Sequence, residues 1–162
     1  MAKRPLRTPS ERVFLVVVDE TEELHVALRY ASNRAKATGG RVALFYVIEP
    51  SGFGHWIAVE DLMEKEMRLQ AEETLKKYSD VVMEMSGQMP ALYIREGNRL
   101  DALLGLLDEE PSISILVLAA GTGKGGPGPL ISALAGKLNK RLHVPLTIVP
   151  GSLSDEEIDG LT

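Results

Sequence analysis

Residues 115–128 read ILVLAAGTGKGGPG, an apolar run that leads directly into a glycine-rich loop. Backbone without side chains can approach an anion closely, and a strand that delivers such a loop to a helix N-terminus presents free N–H groups and the positive end of the helix dipole. The stretch therefore predicts a buried strand and then a candidate phosphate site, although loops this rich in glycine also form plain turns. The candidate binding residues of the loop are Gly121, Thr122, Gly123, Lys124, Gly125 and Gly126.

The rest of the chain alternates apolar runs with amphipathic segments. Continuous apolar runs favour strands covered on both faces, and they occur at residues 12–19, 42–48, 91–94, 113–119 and 144–149. Helical periodicity predicts helices over residues 24–35, 59–85, 100–107 and 130–142. Thr21 and Asn98 are the expected N-caps of the first and third helices. The pattern predicts an α/β fold with a five-stranded parallel doubly wound sheet and four helices, in a single domain.

Length and composition fit that single domain. At 162 residues, with 44% apolar and 25% charged residues, the chain is long enough to bury one core. The domain is expected to cover residues 12–150, between a flexible N-terminal tail at 1–11 and a flexible, acidic C-terminal tail at 151–162.

Charge, cysteine count and hydropathy exclude several classes of function. The net charge of -5 argues against broad binding to nucleic acid. The lack of cysteine excludes disulfides, thiolate catalysis and cysteine-based metal sites. No segment reaches the roughly 18 apolar residues that cross a bilayer, so we expect a cytoplasmic protein without membrane or nucleic-acid partners.

The glycine loop does not fit either standard nucleotide fingerprint. Residues 121–126 satisfy G-x-G-x-x-G, but they follow the fourth predicted strand instead of the first, and residues 142–149 contain no acid for a ribose. A P-loop fails because Lys124 is followed by Gly125 and because Leu118 stands where the first glycine is required.

Asp19 follows the first predicted strand, so it arrives at the edge of the sheet where ligands bind in this fold class. It is a candidate to hold a nucleotide, coordinate a cation or accept a phosphoryl group. A receiver domain would place a further Asp and a Lys after the third and fifth strands, where this chain has Arg95-Glu96 and Pro150-Gly151. The alternative is a capping role shared with Thr21.

The histidines form no linear metal-binding motif. His25, His55 and His143 are too scattered, and His25 and His143 are interpreted as structural. His55 and Trp56 follow the second strand, where they are expected to pack against the long helix or to line a cleft.

In order and spacing, residues 12–150 resemble the universal stress protein family. The resemblance rests on a first strand that ends in Val17-Val18-Asp19, a second that ends in residues 45–48 (FYVI), a late strand that enters Gly121-Thr122-Gly123 and a closing segment at 144–149 (VPLTIV). It implies a five-stranded α/β fold and a homodimer joined through the last strand. The exposed apolar edge of residues 146–149 favours the same contact, since a bare edge would aggregate.

Some members of that family bind ATP, and the resemblance carries over to this chain only in part. Asp19 and Val47 look like the two nucleoside positions. The family's phosphate pattern, G-x2-G-x9-G-[ST], fits poorly: counted from Gly121, its second glycine is Lys124, and its final pair falls at Ser132-Ala133. Pro127 and Pro129 also lack the N–H groups that a phosphate cradle could use.

The resemblance implies a cytoplasmic stress-response protein that binds ATP or another adenine nucleotide without efficient hydrolysis. In this hypothesis Asp19 and Val47 contact the nucleoside, and residues 121–126 with Ser132 lie near the phosphates. A second hypothesis keeps the fold and the dimer but makes the chain an interaction module that binds no nucleotide. A third, an enzyme of a related nucleotide-binding class, finds no identifiable acid, base or nucleophile in the sequence.

Overall fold

The computed structural model describes residues 11–50 and 57–162. The predicted N-terminal tail, apart from Glu11, and the predicted packing of His55 and Trp56 lie outside these residues. The described part runs in the order β1 (Val13–Val17), α1 (Leu24–Thr38), β2 (Arg41–Ile48), α2 (Ile57–Ser86), β3 (Ala91–Glu96), α3 (Arg99–Glu109), β4 (Ile113–Ala120), α4 (Pro129–Ala135), a 3-10 helix (Asn139–Arg141), β5 (Leu146–Pro150) and α5 (Asp155–Leu161).

The strands form one parallel sheet in the order β3-β2-β1-β4-β5, which confirms the predicted doubly wound architecture. Strand β1 lies at the centre, and all five of its residues are buried because neither face of a covered parallel sheet meets water. Val17 at its end lies opposite Phe45 of β2, and Val16 lies opposite Val117 of β4. The strand order reverses between β1 and β4, so ligands are expected at the carboxyl ends of these two strands.

Helices cover both faces of the sheet. One core contains Leu28 of α1, Leu75 of α2 and Ile158 of α5, packed with the side chains of β1 that point to that face. The other contains Leu103 of α3 and Leu134 of α4. Helix α3 begins where the sequence predicts, because the Asn98 side chain accepts a hydrogen bond from the backbone N–H of Asp101.

The last predicted helix is shorter than expected. Helix α4 ends at Ala135, and the chain resumes in the 3-10 helix, where residues 130–142 were expected to be continuous. Gly136 causes the break: its φ of -105° and ψ of -116° are not helical, and an added Cβ would lie 2.7 Å from the Ser132 carbonyl oxygen.

The prediction of a flexible C-terminal tail is wrong, and the predicted count of four helices is one short for the described part. Residues 155–161 form α5, which begins with a capping box in which Ser154 and Glu157 satisfy each other's backbone N–H groups. The helix packs on α1: Ile158 is fully buried, and Arg29 donates two hydrogen bonds to the Asp159 carboxylate, at 2.8 and 2.7 Å.

Candidate functional site

A cleft opens at the carboxyl ends of β1 and β4, where the strand order reverses. Its volume is about 140 Å³, below the roughly 300–1,000 Å³ of a typical small-molecule pocket. The walls come from the turn between β1 and α1, the first turn of α1, the start of α3, the end of β4, the loop after it and the start of α4. The polar or loop residues among them are Asp19, Thr21, Glu23, Arg99, Gly121, Pro127 and Gly128. The cleft is open on one side, so a nucleotide bound there would extend over the open edge.

Asp19 lies in this cleft, as the sequence predicts. Its Oδ1 accepts hydrogen bonds from the Thr21 backbone N–H at 3.2 Å and from the Thr21 hydroxyl at 2.9 Å. Thr21 therefore orients Asp19 and does not cap α1, whose N-cap residue is Glu23. Among the described residues, none donates to the second carboxylate oxygen, Oδ2, which leaves it available to a ligand hydroxyl. Glu20, the next residue, has a φ of 56°.

The glycine loop folds back on itself after β4. The Gly121 backbone N–H donates to the Pro127 carbonyl oxygen at 2.9 Å, and Gly126 and Gly128 adopt φ values of 80° and 118° that other residues rarely take. Of the six predicted loop residues, Gly121 lines the cleft. The remaining five, residues 122–126, are exposed and do not line it. Among them is Lys124, which was expected to lie near the phosphates with the rest of the loop.

Glu23 is a site residue that the sequence analysis missed. Its Oε1 accepts hydrogen bonds from the Thr122 backbone N–H at 3.1 Å and from the Thr122 hydroxyl at 3.0 Å. These bonds lower the pKa of the Glu23 carboxyl below its ordinary value, the backbone N–H of Thr122 contributing most. The two residues are 99 positions apart in the chain, so no local sequence pattern predicts the contact.

Arg99 is the second residue that was missed. It opens α3 and is the cation among the described residues that line the cleft. Its Nε lies 3.6 Å from Oε1 of Glu49, an ion pair between partly exposed side chains. A signal was present in the sequence, because Arg99 directly follows the N-cap of a helix that begins at the ligand-binding edge of the sheet.

Two predicted residues lie outside the cleft walls. Val47 is buried near the carboxyl end of β2, paired with Arg95 of β3, and shares a core with Val17 of the cleft wall. Ser132 is exposed on α4. The arrangement thus brings together two carboxylates, those of Asp19 and Glu23, and one guanidinium.

Metal and membrane readings gain no support from the described residues. Within residues 11–50 and 57–162, no three histidine, aspartate or glutamate side chains are close enough to hold a metal ion. The ring Nδ1 of His25 lies 2.8 Å from the Glu22 carbonyl oxygen, a local helix contact that fits its predicted structural role. Among the helices described, each is too short or too polar to span a bilayer.

The family model described as "Universal stress protein family" matches residues 11–150. The chain therefore belongs to the universal stress protein family, and the resemblance drawn from the sequence is confirmed. No curated protein sequence matches the chain.

Solved structures of this family share the fold. The universal stress protein UspA from Lactobacillus plantarum is 17% identical, with 88% of this chain and 99% of that one covered and a TM-score of 0.69. A universal stress protein in complex with cAMP is 17% identical, with 88% and 98% covered and a TM-score of 0.60. The Archaeoglobus fulgidus protein in complex with dAMP is 16% identical, with 88% and 99% covered and a TM-score of 0.55.

Proposed function

We propose that this stress-family protein binds an adenine nucleotide or nucleoside in the cleft between β1 and β4, without efficient hydrolysis. The observation that carries the proposal is the Asp19 carboxylate: Thr21 fixes one of its oxygens, and the other is available within the cleft. A half-buried carboxylate with one oxygen already held is suited to accept hydrogen bonds from a ribose.

The charges of the cleft support a ligand with a sugar and a limited negative charge. Asp19 offers an acceptor for a hydroxyl group, and the Arg99 guanidinium, which also lines the cleft, offers donors for an anionic group. Val47, close to the end of β2, is proposed to lie near the base once the ligand extends beyond the enclosed volume. Two relatives with this fold are known in complex with cAMP and with dAMP, which supports the choice of adenine.

The experiment is a titration of the purified protein with adenosine, AMP and ATP by isothermal calorimetry, using wild type and Asp19→Asn. Asparagine keeps the acceptor that Thr21 uses and replaces the free carboxylate oxygen with an amide. We expect a loss of affinity of about tenfold or more for all three ligands. Asp80→Asn is the matched control, because Asp80 is exposed on α2 and outside the cleft.

Absence of binding by every adenine ligand, with no shift of the thermal midpoint at millimolar concentration, would contradict the proposal. The protein would then be better described by the alternative, an interaction module of the same fold. Equal affinities of wild type and Asp19→Asn would instead remove Asp19 from the site.

We further propose that the protein is a homodimer joined through β5. Among the described strands, β5 is an edge of the sheet and pairs with β4 alone, and Ile148 at its centre is 42% exposed. Sedimentation at micromolar concentration should give a dimer mass for wild type and a monomer mass for Ile148→Lys. Leu161→Lys, at an exposed apolar residue on α5, should stay dimeric. A monomeric wild type would contradict this assembly.

A further inference from the structure

The contact between Glu23 and Thr122 joins the start of α1 to the glycine loop at the rim of the cleft. Both donors of Thr122, its backbone N–H and its hydroxyl, point at the same carboxylate oxygen, at 3.1 and 3.0 Å. Glu23 is the N-cap residue of α1, yet its side chain caps no helical N–H and reaches across to the loop instead. One oxygen of its carboxylate is therefore held by Thr122.

The Glu23 side chain lies close to the backbone of residue 151. Gly151, just after β5, lies against it: an added Cβ would stand 2.6 Å from Cγ of Glu23 and 3.2 Å from Cγ2 of Thr122, and would overlap the Ala120 carbonyl oxygen. The absence of a side chain at residue 151 leaves room for the contact. The lowered pKa of Glu23 agrees with a carboxylate that is ionised when it accepts these bonds.

The contact uses donors that a phosphate group would need at this loop. Thr122 gives its N–H and hydroxyl to Glu23, and Gly121 gives its N–H to the Pro127 carbonyl oxygen. Pro127 and Pro129 have no N–H to give. A phosphate that uses the N–H and hydroxyl of Thr122 would have to displace the Glu23 carboxylate and would then lie close to its negative charge.

We propose that Glu23 is a specificity-determining residue whose carboxylate disfavours polyphosphate ligands. The cleft therefore binds adenosine, or a nucleoside with one phosphate, more tightly than ATP. The inference rests on the proposed function, because it concerns the ligand of the same cleft. Asp19 accepts hydrogen bonds from the sugar of the ligand, and Glu23 occupies the Thr122 donors that a further phosphate would use.

The test compares dissociation constants for adenosine, AMP and ATP in wild type, Glu23→Gln and Glu22→Gln. Glutamine at residue 23 keeps the size of the side chain and removes its charge. Glu22 is the matched control, because it is exposed on the same turn, carries the same charge and does not line the cleft. In Glu23→Gln the ratio of the ATP constant to the adenosine constant should fall about tenfold. In Glu22→Gln the ratio should change less than about twofold.

A second measurement needs no ligand. Hydrogen exchange at the Thr122 amide should become faster in Glu23→Gln and stay the same in Glu22→Gln, because only the first variant weakens the bond that protects it. Equal ATP-to-adenosine ratios in the two variants, or equal exchange rates, would overturn the role of Glu23 while adenosine binding persists. Loss of all adenosine binding in wild type would overturn the proposed function, and this inference with it.

Discussion

Replacement of Ile158 by alanine tests whether the C-terminal helix is part of the folded domain. Ile158 is fully buried where α5 packs on α1. Burial of such a side chain contributes about 1.5–3 kcal/mol, and truncation of a core isoleucine to alanine costs about 2–5 kcal/mol. Because α5 is short and terminal, it can undock as a unit, and the loss cannot exceed its docking free energy. We expect Ile158→Ala to lower the free energy of unfolding by about 2 kcal/mol.

Urea denaturation followed by circular dichroism measures this loss. With a slope of about 2 kcal/mol per molar urea, the midpoint should fall by about 1 M. Leu161→Ala is the matched control: it truncates an aliphatic residue on the same helix that is 66% exposed, and it should change stability by less than about 0.5 kcal/mol. If both variants unfold at the wild-type midpoint, α5 is not docked in solution and the reasoning is refuted.

Two further changes probe α5 and the site turn. The pKa of Asp159 is lowered to about 2, first by the hydrogen bond from Arg29 and then by that from Asn33. The ionised carboxylate therefore stabilises the folded protein at pH values above the ordinary pKa of Asp. This stabilisation is lost as pH falls from about 4 towards 2. The gap in thermal midpoint between wild type and Asp159→Asn should therefore close over that range, and a constant gap would contradict the ion pair. Glu20→Gly should raise the free energy of unfolding in urea melts by about 0.5–1 kcal/mol. The left-handed conformation of Glu20 costs an ordinary residue about 1–2 kcal/mol, and the greater backbone entropy of glycine in the unfolded chain offsets part of that gain. A lower midpoint would mean that the Glu20 side chain has a stabilising contact.

The strands and the start of α3 could be predicted because local sequence patterns determine them. Continuous apolar runs identified all five strands to within three residues at each end, because a strand covered on both faces must be apolar throughout. The Asn98 cap was equally local. The capping box of Ser154 and Glu157 is also a local signal, and it predicts the start of α5. It was missed because the surrounding acidic residues were interpreted as a flexible tail. An acidic composition describes the exposed face of a helix as well as it describes a flexible tail.

The candidate site was less predictable because its parts meet across the chain. Asp19 was found because a strand end can be read locally, and the topology then carries it to the ligand-binding edge. Glu23 was missed because its meaning depends on Thr122, 99 residues later. Thr21 was assigned to the wrong partner for a related reason: a short polar side chain can cap a helix or bond a neighbouring carboxylate, and only the backbone geometry decides between them.

A poor match to the family's phosphate pattern does not by itself remove the nucleoside half of the proposed site. The position of Asp19 depends on β1 and on Thr21, neither of which belongs to the glycine loop. The loop, in contrast, is closed by its own Gly121 bond and by Glu23. Because the two halves are held by different contacts, Asp19→Asn should weaken all adenine ligands alike, whereas Glu23→Gln should strengthen ATP binding relative to adenosine binding. Relatives below 20% identity share the backbone that builds the edge, but the side chains of this chain decide which ligand the edge accepts.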